Sequence, residues 1–321
     1  MNLISCDWGT SRFRLHLMDR ERLKSICSLS SDQGAAPLNL AWQKQKNLDR
    51  LAFFKNYLKK QVDRLSIEYG HELTGVPIII SGMASSSIGM IELPYARLSF
   101  SIDGSGVIRH LIKSTDDFPN DIYLISGLAS PTDVMRGEET QVIGLQNTLL
   151  GKNAHLILPG THSKHVEIRD NHIVNFSTSM TGELFALTSQ QSVLSHSVES
   201  VPIDNKALFE SFGKGVEALT QVGYLQALFK VRTRTLLANT EVHQNHAFLS
   251  GIHLGAELQY LTDLPSDVEI IICAHPQMAF LYRLALKALG MKHNSYVIPG
   301  ALSELATAHG HLAVAAQLGI D

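Results

Sequence analysis

Two short stretches of this 321-residue chain repeat one another, and the repeat limits the fold more than any other feature. CDWGTSRF at residues 6–13 and LPGTHSKHV at residues 158–166 each set Gly-Thr at the tip of an apolar strand. A hydroxyl follows, Ser11 or Ser163, and then a cation, Arg12 or Lys164. After the first turn, Phe13, Leu15 and Leu17 alternate with Arg14, His16 and Met18, the period of a half-buried strand. After the second, HVEIRDNHIVNFST reads as a hairpin turning at Asp170-Asn171. Each half therefore opens with a strand, a Gly-Thr-Ser type turn and a hairpin.

Taken singly, such a turn is ordinary, because glycine tolerates positive φ and Asp and Ser bond their own backbone. Two matched turns predict more. Amides and hydroxyls exposed at a strand tip form a concave donor nest for phosphate oxygens, and only glycine lets the backbone come so close. Gly9, Thr10, Ser11 and Arg12 on one side, and Gly160, Thr161, Ser163 and Lys164 on the other, are expected to act as jaws on a polyphosphate. Asp7 is then a candidate magnesium partner, since Mg²⁺ on a nucleotide keeps most of its waters and takes only one or two carboxylates. Its alternative role is to form an Asx-turn.

The rest of the chain reads as alternating strands and helices, hence an α/β layer with parallel pairing. The opening meander runs to about Ser28, and SSDQGAAPLN is irregular. Leu48, Leu51, Phe54, Leu58, Val62 and Leu65 predict an amphipathic helix over 45–69. GVPIIISGM, DIYLISG, HLILPG, VEIIICA and SYVIPG are buried strands. Helices are predicted from Gly137 through EETQVIGLQNTLL, from Thr181, across Gly215 to Lys230, from Pro276, and over 301–319. Length allows two domains, divided as 1–153 and 154–300, with the final helix, 301–321, returning to the first.

Composition excludes several classes. The chain is 45% hydrophobic and 18% charged, which describes a packed globular protein. A net charge of −3 and the lack of a basic run leave no footprint for nucleic acid or a lipid surface. No apolar run approaches the ~18 residues of a membrane span, and no signal peptide is visible. Cys6, Cys27 and Cys273 lie far apart, as buried thiols in a reducing compartment do. The expectation is a cytoplasmic protein with a small-molecule partner and neither nucleic acid nor membrane; a homodimer stays open.

Two further motifs bear on chemistry. In VMRGEETQVIGL, Glu138 and Glu139 open a helix, where the dipole favours a carboxylate. They stabilise that helix, or one of them takes a proton from an attacking hydroxyl. Successive helical residues diverge by about 100°, so only one can face a site. Glu138, at the glycine turn, is the favoured base, and Glu139 is better placed to cap the helix. In FLSGIHLGAELQ, Ser250-Gly251 reads as a strand end that starts a helix, where an adenine or ribose could lie against backbone. His162 with His165, and His243 with His246, have metal-like spacing but no acid or cysteine to complete a ligand set, so solvated or hydrogen-bonded roles are expected.

In this order, the motifs resemble the sugar-kinase branch of the actin, hexokinase and chaperone-ATPase superfamily. More narrowly, CDWGTSRFRLHLMD, SGMASSSIGMIELPY, MRGEETQVIG, LPGTHSKHVEI, TGELFALT and LSGIHLGAEL resemble the 2-dehydro-3-deoxygalactonokinase family, over essentially the whole chain. The resemblance implies an α/β, two-lobed actin-like ATPase (ribonuclease H-like) fold with a central nucleotide cleft. It also implies ATP and Mg²⁺, and phosphorylation of the 6-hydroxyl of 2-dehydro-3-deoxy-D-galactonate in D-galactonate breakdown. Asp7, Gly9, Thr10 and Ser11 match its first phosphate motif, Gly160, Thr161 and Ser163 its second, and Gly251 its nucleotide-side segment. Ala274 stands where such kinases commonly have glycine, which would push backbone away from the adenosine.

For the sugar acid, SGMASSSIGMIELPYARL at residues 81–98 is the candidate loop. Ser85, Ser86 and Ser87 offer hydroxyls, Glu92 an acceptor, and Arg97 or Arg136 a fork for the carboxylate. The alternatives are a phosphohydrolase of the same fold, which would not need the Ser-rich loop, and a non-catalytic sugar sensor.

Overall fold

A computed structural model of the chain describes residues 2–45, 48–291 and 295–320. Two compact units emerge: Met1–Lys152 with Ile168–Phe176 and Glu304–Asp321, and Asn153–Glu167 with Ser177–Ser303. Among the described residues no helix is long and apolar enough to cross a membrane.

The first unit is built on β1 (Asn2–Trp8), β2 (Phe13–Asp19), β3 (Lys24–Ser31), β4 (Ile78–Gly82), β5 (Arg109–Ile112) and β6 (Ile122–Ile125). Their order is β3-β2-β1-β4-β6-β5. β1, β2 and β3 form an antiparallel meander, whereas β1 to β4 and β4 to β6 are parallel. The apolar alternation foreseen for β2 buries Phe13, Leu15 and Leu17; Met18 is buried too, beyond a register shift at Leu17/Met18. Against this sheet lies helix Arg50–Tyr69, whose Phe54, Leu58, Val62 and Leu65 join Trp8 and Phe13 in one core. That helix starts five residues later than its periodicity suggests, because the Asp49 carboxylate accepts from Ala52 N and caps it there.

Three expectations are corrected. SSDQGAAPLN is not irregular throughout: Ala35–Gln43 is helical. Its first amides are met by a distant turn, Ala35 N on Gly9 O at 2.9 Å and Ala36 N on Thr10 O at 3.0 Å, so no local cap announces it. The helix at Glu138 ends at Gly144 and resumes as Gln146–Leu149. Helix Ala306–Gln317 packs on Glu138–Gly144 at a reciprocal glycine crossing. A Cβ on Gly144 would stand 1.8 Å from Ala306 O, and one on Gly310 would stand 2.0 Å from Thr140 O. The foreseen 301–319 helix is split, Gly300–Glu304 belonging to a separate turn.

A second sheet carries β7 (Ala154–Leu158), β8 (Ser163–Arg169), β9 (His172–Ser179), β10 (Glu269–Ile272) and β11 (Ser295–Val297); of these, Ile168–Phe176 of the β8–β9 hairpin fall in the first unit and the rest in the second. Asp170 and Asn171, both at positive φ, make the two-residue turn between β8 and β9. The order β11-β10-β7-β8-β9 repeats β6-β4-β1-β2-β3 of the first unit. This repeated strand order agrees with the α/β, ribonuclease H-like architecture that the sequence resemblance implies. The helix foreseen across Gly215 to Lys230 is two helices, Lys206–Val222 and Tyr224–Ala238, parted by Gly223 at φ 78°.

Candidate active site

The first turn sits where β1 ends. Asp7 pairs in register with Arg14 on β2 and with Ser81 on β4, and its Oδ2 accepts from Arg14 Nη1 at 2.8 Å. A residue within a strand forms no Asx-turn, so that alternative is set aside; its carboxylate is a fifth exposed at the strand end. Gly9 N donates to Arg12 O at 2.8 Å and closes the turn. The carbonyls of Gly9, Thr10 and Ser11 are all taken, by Ala35 N, Ala36 N and Gly34 N. With the carbonyls turned onto that helix, Thr10, Ser11 and Arg12 stand exposed. The approach depends on Gly34, where a Cβ would lie 2.4 Å from Thr10 O.

The acid pair adjoins this end of the sheet. Gly82, at φ 87°, would put a Cβ 2.7 Å from Trp8 O, and Gly137, at φ 111°, would put one 3.4 Å from Gly82 Cα. Only glycine serves at such positions. Glu138 is partly exposed and accepts from Arg136 N at 3.0 Å. Glu139 is buried; both its oxygens face Gly137 N, at 3.0 and 2.8 Å, and Thr140 Oγ1 donates at 2.9 Å. Burial, reinforced by the neighbouring Glu138 charge, pushes the Glu139 carboxyl up from 4.5 to about 7.

The Ser-rich loop is corrected. Ser85 and Ser86 are buried in and beside a single 3-10 turn, Met83–Ser85. Their hydroxyls donate to Gly82 O at 3.2 Å and Met83 O at 2.7 Å, so they satisfy backbone and do not offer a row of hydroxyls to a ligand. Only Ser87 of the three is exposed. Arg136 is not an open fork either. Its Nη1 donates to Ser85 O and Ser85 Oγ at 2.6 and 2.7 Å, Nη2 reaches Leu93 O at 3.4 Å, and the guanidinium stacks on Tyr95. It staples the loop. Glu92 and Arg97 are exposed; Arg97 lies on the short strand Ala96–Arg97, beside Leu128–Ala129.

In the second unit the Gly160 turn has the same construction. Thr161 O accepts from Glu183 N at 3.1 Å, at the start of helix Thr181–Gln190, and a Cβ on Gly182 would meet Gly160 O at 2.6 Å. Gly182 thus answers to Gly34. Neither glycine stood out in the sequence, although each opens the helix that follows its hairpin. Lys164 is buried with Nζ on His162 O at 3.1 Å, and Ser163 is buried with its hydroxyl toward Tyr282.

Beside this turn a cavity of about 630 Å³ opens within the second unit. Phe185, Ile203, Leu254 and Met278 give it apolar walls, and Thr161, His246, Ser250 and Gln277 supply polar groups. Its size is that of a small-molecule or cofactor site. Ala274 lines it, ahead of helix Pro276–Ala288. Burial lowers both His246 and His253, the latter to about 4, so each enters as a neutral imidazole. His253 is held by Thr188 Oγ1 at 3.0 Å and Tyr224 Oη at 3.1 Å.

The reading of Ser250-Gly251 as a strand end is overturned: both lie inside helix Val242–Leu258. Gly251 faces helix Lys206–Val222, where a Cβ would stand 2.0 Å from Phe212 O; reciprocally, one on Gly215 would stand 2.0 Å from Phe248 O. Gly251 makes a helix crossing, and its neighbour Ser250 is the residue that lines the cavity. His162 bonds to Glu183, His165 to Glu257, and His243 pairs with Glu199. Among the described residues no His, Cys, Asp or Glu triplet could hold a metal. That does not weigh against Mg²⁺ on a nucleotide, for which one carboxylate suffices.

The family model described as 2-keto-3-deoxy-galactonokinase matches residues 7–308, from Asp7 to Ala308. A probable 2-dehydro-3-deoxygalactonokinase of Rhizobium meliloti (strain 1021) is 30% identical over 300 residues, 89% of each chain. The 2-dehydro-3-deoxygalactonokinase of Escherichia coli (strain K12) is 33% identical over 293 residues, 89% of this chain and 90% of its own. Among solved structures, a Sinorhizobium meliloti protein assigned as a 2-dehydro-3-deoxygalactonokinase matches 99% of this chain and 100% of its own. The TM-score is 0.78 at 28% identity. The match takes in both glycine turns, the acid pair and the cavity-lining helices, and the chain belongs to the 2-keto-3-deoxy-galactonokinase family.

Proposed function

We infer that the chain is an ATP-dependent 2-dehydro-3-deoxygalactonokinase, which phosphorylates the 6-hydroxyl of 2-dehydro-3-deoxy-D-galactonate in D-galactonate catabolism. The family match over residues 7–308 carries this reading. ATP supplies the transferred phosphoryl group, and Mg²⁺ neutralises charge on it. The cavity beside Gly160 suits the adenosine, with His246 and Ser250 as polar contacts on apolar walls. Two glycine turns whose carbonyls are tied back onto helices suit phosphate oxygens. Asp7, a partly exposed carboxylate ahead of the first turn, would hold Mg²⁺ through its waters.

Glu138 is the group we assign as base: it is partly exposed, whereas the buried Glu139 spends both oxygens on Gly137 N and Thr140. With Arg136 engaged on Ser85 and Leu93, the exposed Arg97 is the better partner for the substrate carboxylate, and Arg136 shapes the loop. Free, largely buried cysteines fit a reducing cytoplasm.

The test is a panel of 2-keto-3-deoxy sugar acids with ATP and Mg²⁺, read as ADP release. The fastest turnover is expected with 2-dehydro-3-deoxy-D-galactonate. ADP release that no sugar acid accelerates would refute the kinase and favour a phosphohydrolase.

A further inference from the structure

Behind the Gly160 turn runs a chain of buried polar groups with no part in the phosphate chemistry just described. Ser163 Oγ lies 3.2 Å from Tyr282 Oη, and Tyr282 donates to Glu257 Oε1 at 2.7 Å. The same carboxylate oxygen meets His165 Nε2 at 2.8 Å. His165 Nδ1 lies 3.2 Å from His155 Nε2, which Tyr260 Oη reaches at 3.1 Å. Glu257 comes from helix Val242–Leu258, Tyr282 from helix Pro276–Ala288, and the histidines from β7 and β8. With Tyr260 from the 3-10 turn Gln259–Asp263, five elements converge behind one turn.

Counting protons gives this chain a direction. A phenol has one hydrogen. Burial pushes the Tyr282 phenol well above its ordinary range, so it keeps that hydrogen and gives it to Glu257. Tyr282 Oη is then left only to accept, and the hydrogen of the 3.2 Å contact must come from Ser163. Ser163 therefore points its hydroxyl inward at the nearer acceptor, with Gly160 O a longer one at 3.5 Å, while its oxygen takes Gly160 N at 3.4 Å. Ser163 is not a free donor for an anion. Its work is to tie the backbone of the turn to helix Pro276–Ala288.

We propose that Tyr282 and Glu257 are positioning residues of the nucleotide site. Through Ser163, which takes the Gly160 amide, they hold the turn in the conformation that presents the amides after Gly160 to the polyphosphate. This rests on reading that turn as a phosphate site.

A double-mutant cycle on ADP binding, measured by calorimetry, tests it. Tyr282→Phe keeps the ring that lines the cavity and removes the hydroxyl; Ser163→Ala removes the other end of the bond. Each is expected to weaken ADP about fivefold, the worth of one neutral hydrogen bond, and the pair to do no worse than either alone. In turnover the loss falls on the KM for ATP, with kcat and the KM for the sugar acid within twofold. Additive losses, or a Tyr282→Phe variant that binds ADP as the parent does, would overturn the proposal.

Should Tyr282→Phe not fold, two substitutions at Glu257 replace it. Glu257→Gln keeps an acceptor for Tyr282 and should hold ADP as the parent does. Glu257→Met has none and should repeat the fivefold loss; the opposite pattern overturns the proposal. A parent protein that binds ADP without phosphorylating any sugar acid fails the kinase reading but leaves the cycle readable. One that binds no ADP fails both.

Discussion

Glu139 makes the first unit's stability depend on pH in a direction opposite to most carboxylates. Its side chain is buried at the start of a helix, and burial with the Glu138 charge outweighs the hydrogen bonds from Gly137 and Thr140 that favour ionisation. The folded carboxyl therefore titrates at about 7 against 4.5 unfolded. Between those values the folded state binds a proton that the unfolded chain has lost. Stability from this group is full below 4.5 and falls as pH rises through 7. At 1.36 kcal/mol per pH unit the whole loss is about 3 kcal/mol, about 2.5 of it between pH 5 and pH 8.

Glu139→Gln keeps the shape and removes the titration. Both tryptophans, Trp8 and Trp42, belong to the first unit, so urea unfolding followed by tryptophan fluorescence reports on that unit alone. The variant should gain about 2.5 kcal/mol relative to the parent between pH 5 and pH 8, since every other carboxylate cancels in the comparison. Turnover should stay within a few-fold. Parent and variant curves that run parallel across this range would refute the reasoning, for they would mean that the carboxylate is already charged inside the protein.

Glu138→Gln should cut kcat by ~10²–10⁴-fold, the range of a lost general base, with ADP affinity unchanged; the same loss in Glu139→Gln instead would put the base on the other acid. Asp7→Asn should remove most phosphoryl transfer, while its exposed pairing with Arg14 limits the stability loss to about 1 kcal/mol or less by thermal melting. Near-normal turnover would leave Asp7 a strand residue and nothing more. Gly251→Ala forces a Cβ against the Phe212 carbonyl and should destabilise the second unit by at least about 1–3 kcal/mol in urea unfolding; a change under about 0.5 kcal/mol would show that the helix crossing opens freely. Gly34→Ala, at an unstrained φ of −67°, should raise the KM for ATP by displacing the Thr10 carbonyl, and an unchanged KM would uncouple that turn from the nucleotide.

What could be read from the sequence divides along a physical line. The strands and the Asp170-Asn171 hairpin were legible because their signals are local: apolar runs, period-two alternation, and residues that accept positive φ. Helix Ala35–Gln43 was not, because its cap is the carbonyl row of a turn 25 residues upstream. Ser250-Gly251 looked like punctuation, since the reason for that glycine lies at Phe212 on another helix. Three serines in a row looked like ligands until the 3-10 turn took two of their hydroxyls for its own backbone. The same line runs through the site. Gly9 and Gly160 announce donor nests, yet a turn presents its amides outward only if something holds its carbonyls inward. In both units that something is the first turn of a helix entered through a glycine, Gly34 in one and Gly182 in the other, with space at neither for a Cβ. The repeat that marked the chain at the outset therefore extends beyond the turns to the helices that hold them. Gly34 and Gly182 belong to the candidate site as much as the glycines that drew attention to it.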